Sequence, residues 1–327
     1  MEKTAAAGTR HLVDPQVLPI LDIFPPMELT AQTLTTIRAT PPLPGAPPEI
    51  PPELISVPGA SGAPEVGLRV FVPRAQARRR AAIYHIHGGG FVLGTAAMSD
   101  FANSARATEQ NAVVVSVDYR LAPEAAFPGP LEDCYAGLCW IAANAQRLGI
   151  DPEGIMVLGE SAGGGLAAAL ALLARDRGGP RIAGQFLIYP MLDHRTGGGD
   201  EVRPNPLTGE FIWTRAHNQF GWQAMRGSGV IDADRMGHFS PALAQDLSGL
   251  PPCFLATGSL DLFLEEDVEY ALRLLRAGVP TELHLYDGAI HAFDLVVDAA
   301  VSQRFAADLS DALRRRLATT SSPQTYR

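Results

Sequence analysis

The sequence predicts an α/β architecture, with a mostly parallel central sheet flanked by helices and interrupted late in the chain by a segment that fits no strand–helix unit. Three observations carry this expectation. Apolar strand-like runs alternate with helical patterns, which is the rhythm of a parallel sheet. Ala112-Val113-Val114-Val115-Ser116-Val117 is a continuous, mostly β-branched run of the kind found in strands covered on both faces. Ile155-Met156-Val157-Leu158 leads into Gly159-Glu160-Ser161-Ala162-Gly163 and then an Ala-rich stretch, so a strand turns abruptly into a helix at a serine with glycine-sized neighbours.

Residues up to about 40 carry scattered apolar positions (Leu18, Leu21, Phe24, Met27, Leu29, Leu34) and lead into a Pro-rich stretch, 41–48, that reads as a linker or semi-rigid arm. Glu65 to Val72 alternates as a strand should, and Ala81 to Ile86 reads as another strand just before three glycines. Helix is predicted over Pro130 to Leu148, strand over Ile155 to Leu158, helix over Ser161 to Arg177 and strand over Ala183 to Tyr189. After the interruption the series resumes: strand from Cys253 to Thr257, helix from Leu264 to Ala277, strand from Thr281 to Tyr286, and a closing helix from Asp298 to Leu317. The interruption holds Gly197-Gly198-Gly199, Pro204, Pro206 and an aromatic-rich helix expected over Gly209 to Met225, and it reads as half of a cap. The expected organisation is therefore an N-terminal cap segment and linker (1–50), a first part of the core (51–193), a cap insertion (194–240) and a second part of the core (241–327), without internal repeats.

The chain has 327 residues, 46% of them apolar and 19% charged, enough to supply a large core. With 26 Lys and Arg against 35 Asp and Glu the net charge is -9, which offers no basic footprint for nucleic acid or anionic lipid and suits an uncharged substrate. Cys134, Cys139 and Cys253 have neither disulfide-framework nor zinc-site spacing and read as buried small hydrophobes. Met1 to Ile20 shows no continuous apolar core of a secretion signal, and the apolar stretch Gly163 to Ala174 falls short of the ~20 residues that cross a bilayer. A cytoplasmic protein without a membrane span is expected.

A nucleophilic serine needs a base, an acid that orients the base, and donors for an oxyanion, and α/β sheets place such groups just past the carboxyl ends of their strands. In enzymes whose nucleophile sits on such an elbow the order is Ser, then Asp or Glu, then His, which leaves His284 and His291 among the eight histidines. His284 lies mid-strand and reads as structural, whereas His291 lies in the loop past that strand and is the expected base. Asp261, after Thr257-Gly258-Ser259-Leu260, is the expected acid. Asp193 is its rival, and Glu265 could substitute geometrically. The backbone of His87-Gly88-Gly89-Gly90-Phe91, with the amide of Ala162, supplies the expected oxyanion donors, Gly89 and Gly90 among them. His87 is expected to brace that loop, and Glu160 to act as hydrogen-bonding support beside the nucleophile.

These residues resemble the hormone-sensitive-lipase-like esterases, the bacterial family IV carboxylesterases of the α/β-hydrolase fold. The resemblance rests on His87-Gly88-Gly89-Gly90, on Asp118-Tyr119-Arg120-Leu121-Ala122-Pro123-Glu124 with Phe127-Pro128, on Gly159-Glu160-Ser161-Ala162-Gly163-Gly164 and on Gly288-Ala289-Ile290-His291-Ala292-Phe293, and covers about residues 65 to 317. It implies Ser161, Asp261 and His291 as catalytic groups and Gly89, Gly90 and Ala162 as oxyanion donors. Three positions depart from the family pattern: Leu262 stands where proline usually follows the acid, Glu265 where a further Asp is usual, and Glu160 where the elbow often carries Asp. Arg120 and Glu124 are expected to brace the loop. The resemblance further implies a cap built from the N-terminal segment and the insertion, in which Phe211, Trp213, Phe220 and Trp222 are expected to pack internally, and homodimers, common among related esterases. The expected activity is hydrolysis of short- to medium-chain acyl esters through an acyl-enzyme, needing no metal or cofactor. The readings set against it are a disabled scaffold serving as a ligand receptor, and a hydrolase of amides, lactones or carbamates.

Overall fold

The computed structural model describes residues 8–40, 46–75 and 79–320; residues 41–45 of the expected linker lie outside them. Among the described residues the strands are β1 (Glu53–Val57), β2 (Val66–Phe71), β3 (Arg80–Ile86), β4 (Val113–Asp118), β5 (Ile150–Glu160), β6 (Gly184–Ile188), β7 (Cys253–Gly258) and β8 (Thr281–Tyr286). The helices are α1 (Ile20–Ile23), α2 (Leu34–Ala39), α3 (Asp100–Gln110), α4 (Gly129–Ala143), α5 (Ala145–Leu148), α6 (Ala162–Asp176), α7 (Arg215–Arg226), α8 (Met236–Phe239), α9 (Leu264–Arg276) and α10 (Ala300–Thr320). One sheet holds all eight strands in the order β1-β2-β4-β3-β5-β6-β7-β8, parallel from β4 to β8, with β2 antiparallel to β4 and β1 antiparallel to β2.

The continuous apolar runs are explained by helices on both faces. Val113, Val115 and Val117 of β4, with Ala82, Tyr84 and Ile86 of β3, join the core beneath α4 and α6. Val114, Ile83, Met156 and Leu158 point the other way, into a core that includes residues of α3 and α10. Both cores contain fully buried side chains, so both faces of the central strands are covered, and the few polar side chains there, such as His85 and Ser116, are hydrogen-bonded.

Several expectations shift. The single helix expected over Pro130 to Leu148 is two, α4 and α5, broken at Asn144. The aromatic-rich helix starts six residues later than Gly209, at Arg215, because Thr214 caps it and Ile212 sits at φ 60°, outside helical geometry. Helix α3 and the edge strand β1 were not anticipated; α3 is rich in polar residues and β1 is largely exposed, so neither presents a strong apolar period. Cys134 and Cys253 are buried, but Cys139 is only half-buried, since it lies toward the outer face of α4.

The insertion, residues 194–240, adds α7 and α8 between β6 and β7 and no strand. The N-terminal segment joins it: the Thr9 hydroxyl donates to Glu210 at 2.6 Å, and His217 Nε2 donates to the Met27 carbonyl at 2.9 Å. The same segment reaches the far end of the sheet, where the Asp14 amide donates to the Gly288 carbonyl at 3.0 Å.

Candidate active site

The carboxyl end of β5 runs directly into α6 through Ser161, whose φ of 56° and ψ of -121° mark a strained non-glycine turn. Space dictates the glycines around it. A Cβ on Gly159 would lie 2.2 Å from the Gly163 carbonyl oxygen, and one on Gly163 would lie 2.0 Å from that of Ile86. Helix and strands therefore touch backbone to backbone, and the serine is lifted to the point between them. The elbow is fixed at both ends: the Ser161 amide donates to Ile188 at 2.9 Å, and the Ser161 carbonyl accepts from Gly165 and Met191 at 3.0 Å each.

His291 arrives from the loop after β8, and Asp261 from the loop after β7. His291 Nε2 is 2.9 Å from Ser161 Oγ, and His291 Nδ1 is 2.8 Å from Asp261 Oδ2, with all three residues buried. The second oxygen, Asp261 Oδ1, accepts from the Phe263 amide at 3.0 Å, so the carboxylate is held in one orientation. Tyr189 and Phe263 set their rings edge-on to the imidazole, at centroid distances of 4.7 and 5.4 Å, and confine its rotation.

The other candidates are engaged elsewhere. Asp193 forms a forked pair with Arg195, its Oδ2 taking Nη2 at 2.7 Å. Glu265 accepts from Asn205 at 3.0 Å, and His284 lies between Glu282 and Asp308 on the edge strand. Leu262, in the usual proline position, is buried and does not prevent Asp261 from reaching His291.

Glu160 lies under the elbow and accepts from His85 Nε2 at 2.9 Å, while His85 Nδ1 meets Ser116 Oγ at 2.8 Å and Asn103 Nδ2 at 3.1 Å. Burial pushes the Glu160 carboxyl upward, but His85 and Arg106, with a backbone hydrogen bond, outweigh it and hold the group below the ordinary carboxylate value. An anion is thus kept next to the serine without contacting the base.

The loop after β3 is built around glycine: Gly89 has φ 121° and Gly90 φ 60°, values a side chain resists. His87 packs against it. Its ring stacks on Tyr119 at 4.2 Å, its Nδ1–H donates to the Gly88 carbonyl at 2.8 Å, and the Tyr119 hydroxyl donates to the His87 carbonyl at 2.9 Å. Burial drives the His87 ring down to about 4, so it is neutral. The carbonyl of Gly89 accepts from Val92 and Leu93, and that of Phe91 from Ala122. Among the described residues the amides of Gly89 and Gly90 donate to no protein acceptor. As the first helical residue, Ala162 likewise has no carbonyl a turn behind it within the helix.

Arg120 forks onto Asp133 and Glu124 pairs with Arg38, so both brace loops as expected. Arg38 itself was not anticipated: it donates to the Val92 and Ala122 carbonyls at 2.8 and 2.7 Å, binding α2 to the end of the glycine loop. A lone arginine in a polar-rich segment carries no motif that would have singled it out. Tyr189, whose hydroxyl donates to Asp294 at 2.7 Å behind His291, was likewise invisible in sequence.

A serine on a strand–helix elbow, bonded through imidazole to a buried carboxylate at the carboxyl edge of a parallel sheet, defines an α/β-hydrolase arrangement. A family model described as alpha/beta hydrolase fold matches residues 83–295. The chain belongs to that family, among the hormone-sensitive-lipase-like esterases. It is 35% identical over 305 residues to the carboxylesterase NlhH of Mycobacterium tuberculosis, spanning 91% of this chain and 94% of the relative. It is 33% identical over 233 residues to an arylesterase of Saccharolobus solfataricus, covering 70% of this chain and 73% of the relative. Among solved structures, a bacterial heroin esterase superposes with a TM-score of 0.84 at 40% identity, over 94% of this chain and 99% of that one. The esterase LipW from Mycobacterium marinum gives a TM-score of 0.79 at 30% identity, over 94% and 96%.

Proposed function

We propose that this chain is a serine carboxylesterase acting on short- to medium-chain acyl esters through an acyl-enzyme. The observation that carries the reading is the unbroken series Asp261 Oδ2, His291, Ser161 Oγ, with contacts of 2.8 and 2.9 Å. Ser161 Oγ attacks the ester carbonyl carbon while its proton passes to His291 Nε2. The carbonyl electron pair moves onto oxygen, facing the amides of Gly89, Gly90 and Ala162, each such donor contributing roughly 2.7 to 4 kcal/mol in a comparable enzyme. His291 gives its proton to the departing alkoxide, then takes one from water as the water oxygen bonds to the acyl carbon; the Ser161 Oγ–acyl bond breaks, the acid leaves and the proton returns from His291 to Ser161 Oγ. Asp261 holds the Nδ1–H tautomer and stabilises the imidazolium that forms.

Kinship with esterases supports the bond type. The preference for smaller acyl groups is supported by a bulky ring held close to the glycine loop, Trp222 edge-on to Phe91 at 4.9 Å. In this reading residues 1–50 and 194–240 form the cap over the two parts of the core. Three free cysteines support a reducing, cytoplasmic setting. A homodimer is supported by the outer strand β8, which leaves Leu283 and Leu285 exposed beside Leu272 and Leu275 of α9.

Ser161→Ala tests the assignment: turnover of p-nitrophenyl butyrate should vanish and labelling by an organophosphonate should cease, with the thermal transition retained. Undiminished turnover would overturn it.

A further inference from the structure

We propose that Trp213, in the insertion, is a positioning residue for the oxyanion loop, so that the cap takes part in transition-state stabilisation as well as covering substrate. The inference rests on the esterase reading above. It begins with an asymmetry in how the loop is held. The carbonyls of His87, Gly88, Gly89 and Phe91 all accept hydrogen bonds, from Tyr119, His87, Val92 with Leu93, and Ala122. The Gly90 carbonyl accepts none among the described residues.

What meets Gly90 instead comes from the insertion. A Cβ built on Gly90 would lie 1.9 Å from Trp213 Cη2 and 2.3 Å from Cζ2, so the edge of the indole occupies the place a side chain would take. A Cβ on Gly221 of α7 would lie 2.7 Å from the Gly90 carbonyl oxygen and 3.5 Å from Trp213 Cζ2. Helix α7 can therefore press on the loop only because residue 221 has no side chain. The Gly90 N–H lies in the plane of the Gly89 carbonyl, which Val92 and Leu93 hold at one end, and the ring edge confines that plane at its other end, Gly90 Cα, while the bare helix turn abuts the unbonded Gly90 carbonyl.

The ring is itself fixed. Trp213 is buried, and its Nε1–H donates to Asn218 Oδ1 at 3.2 Å. Asn218 is wholly buried, and its Nδ2 donates to the Thr196 carbonyl at 2.7 Å, which sets its amide in the one orientation that can accept from the indole. The Thr196 hydroxyl donates to Glu266 on α9, and Glu266 in turn accepts the amides of Leu192 at 2.6 Å and Asp193 at 3.1 Å. A continuous buried chain thus links the helix that follows Asp261 to Gly90 Cα, the atom that ends the peptide plane carrying one expected oxyanion donor. An amide aims its N–H only as well as its peptide plane is held, and complete loss of one such donor costs on the order of 10²- to 10³-fold in kcat. A loosened donor should cost part of that.

The experiment compares wild type, Trp213→Ala, Trp213→Phe and Asn218→Leu, reading kcat and KM on p-nitrophenyl acetate and hexanoate per phosphonate-labelled site. The inhibition constant of an alkyl trifluoromethyl ketone is measured alongside. In that adduct Ser161 Oγ bonds to the ketone carbon, the carbonyl pair becomes an oxyanion, and the serine proton moves to His291, so binding reports on the hole. Expected for Trp213→Ala is a fall in kcat of about ten- to a hundredfold, equal for both esters and matched by weaker ketone binding, with Trp213→Phe between that variant and wild type, because its shorter ring keeps part of the packing toward Gly90 but has no Nε1–H for Asn218. Asn218→Leu, which keeps the indole and removes its anchor, should fall in the same sense, and it carries the test if Trp213→Ala does not fold. A lowered thermal transition with unchanged kcat per labelled site, or a change confined to KM and dependent on acyl length, would overturn the inference. A wild-type chain inert to ester and ketone alike would overturn the esterase reading with it.

Discussion

Replacing Asp261 by Asn alters one atom of a buried pair, and the surroundings dictate how the new amide would sit. Asp261 Oδ1 accepts the Phe263 amide at 3.0 Å, so the oxygen of the substituted side chain has to stay there. Its NH2 then faces His291 Nδ1 across what is now a 2.8 Å contact. A donor there forces Nδ1 to accept, which moves the ring proton to Nε2, the nitrogen that must take the Ser161 proton. The geometry is preserved and the tautomer is wrong. In the serine protease used as the general template, this change costs about 10⁴ in kcat. Four decades correspond to about 5 kcal/mol of transition-state stabilisation. The assay is the initial rate with p-nitrophenyl butyrate at saturation, with circular dichroism to show a retained fold. Asp193→Asn serves as the control, because Asp193 is forked to Arg195 away from the imidazole, and it should change kcat only a few-fold. If Asp261→Asn stays within tenfold of wild type while Asp193→Asn collapses, Asp193 is the acid and the reasoning fails.

Further outcomes are expected. The unfolded chain binds a proton at His87 near the ordinary 6.5, but burial holds the folded ring near 4. Stability should therefore be unaffected by this group above about 6.5 and decline as pH falls from 6.5 toward 4, by up to about 3 kcal/mol; urea denaturation of His87→Gln should show a flatter profile over that interval. Ionised Glu160 stabilises the fold above the ordinary carboxylate range, and that contribution is lost as pH falls through its lowered value, so the thermal-shift gap between wild type and Glu160→Gln should close in acid. Gly163→Ala forces a Cβ to within 2.0 Å of the Ile86 carbonyl oxygen, and with backbone on both sides it should cost about 3 kcal/mol or more, seen as a lowered melting temperature and lost activity. The dimer proposed through β8 predicts that Leu285→Lys, which places a charge on that edge, gives a monomeric mass by light scattering where the unsubstituted chain gives twice that mass, with kcat largely kept; equal masses for the two would exclude that edge as the interface.

Much was legible in the sequence where sterics leave one solution. Gly159 and Gly163 stand where backbones pass so closely that an added Cβ would lie 2.0 to 2.2 Å from a carbonyl oxygen, and Gly89 and Gly90 where φ is positive, so a local motif reports a local necessity. The same holds for β4, whose mostly β-branched run fits a strand covered on both faces. Pattern reading faltered at α3 and β1, where exposure removes the apolar period, and at the start of α7, where Thr214 rather than Gly209 sets the boundary.

From the chain alone, then, came the α/β architecture, the elbow serine, and a short list of groups placed past strand ends, because these depend on local backbone geometry and on hydrophobic period. The contact of Asp261 with the His291 ring while Asp193 turns to Arg195, the hold of Arg38 and Tyr119 on the glycine loop, and the seating of Trp213 against Gly90 are visible only in the fold. Those contacts join residues 30 to more than 120 positions apart, and which of several chemically equivalent carboxylates meets an imidazole depends on strand order and loop path, neither of which any single segment encodes.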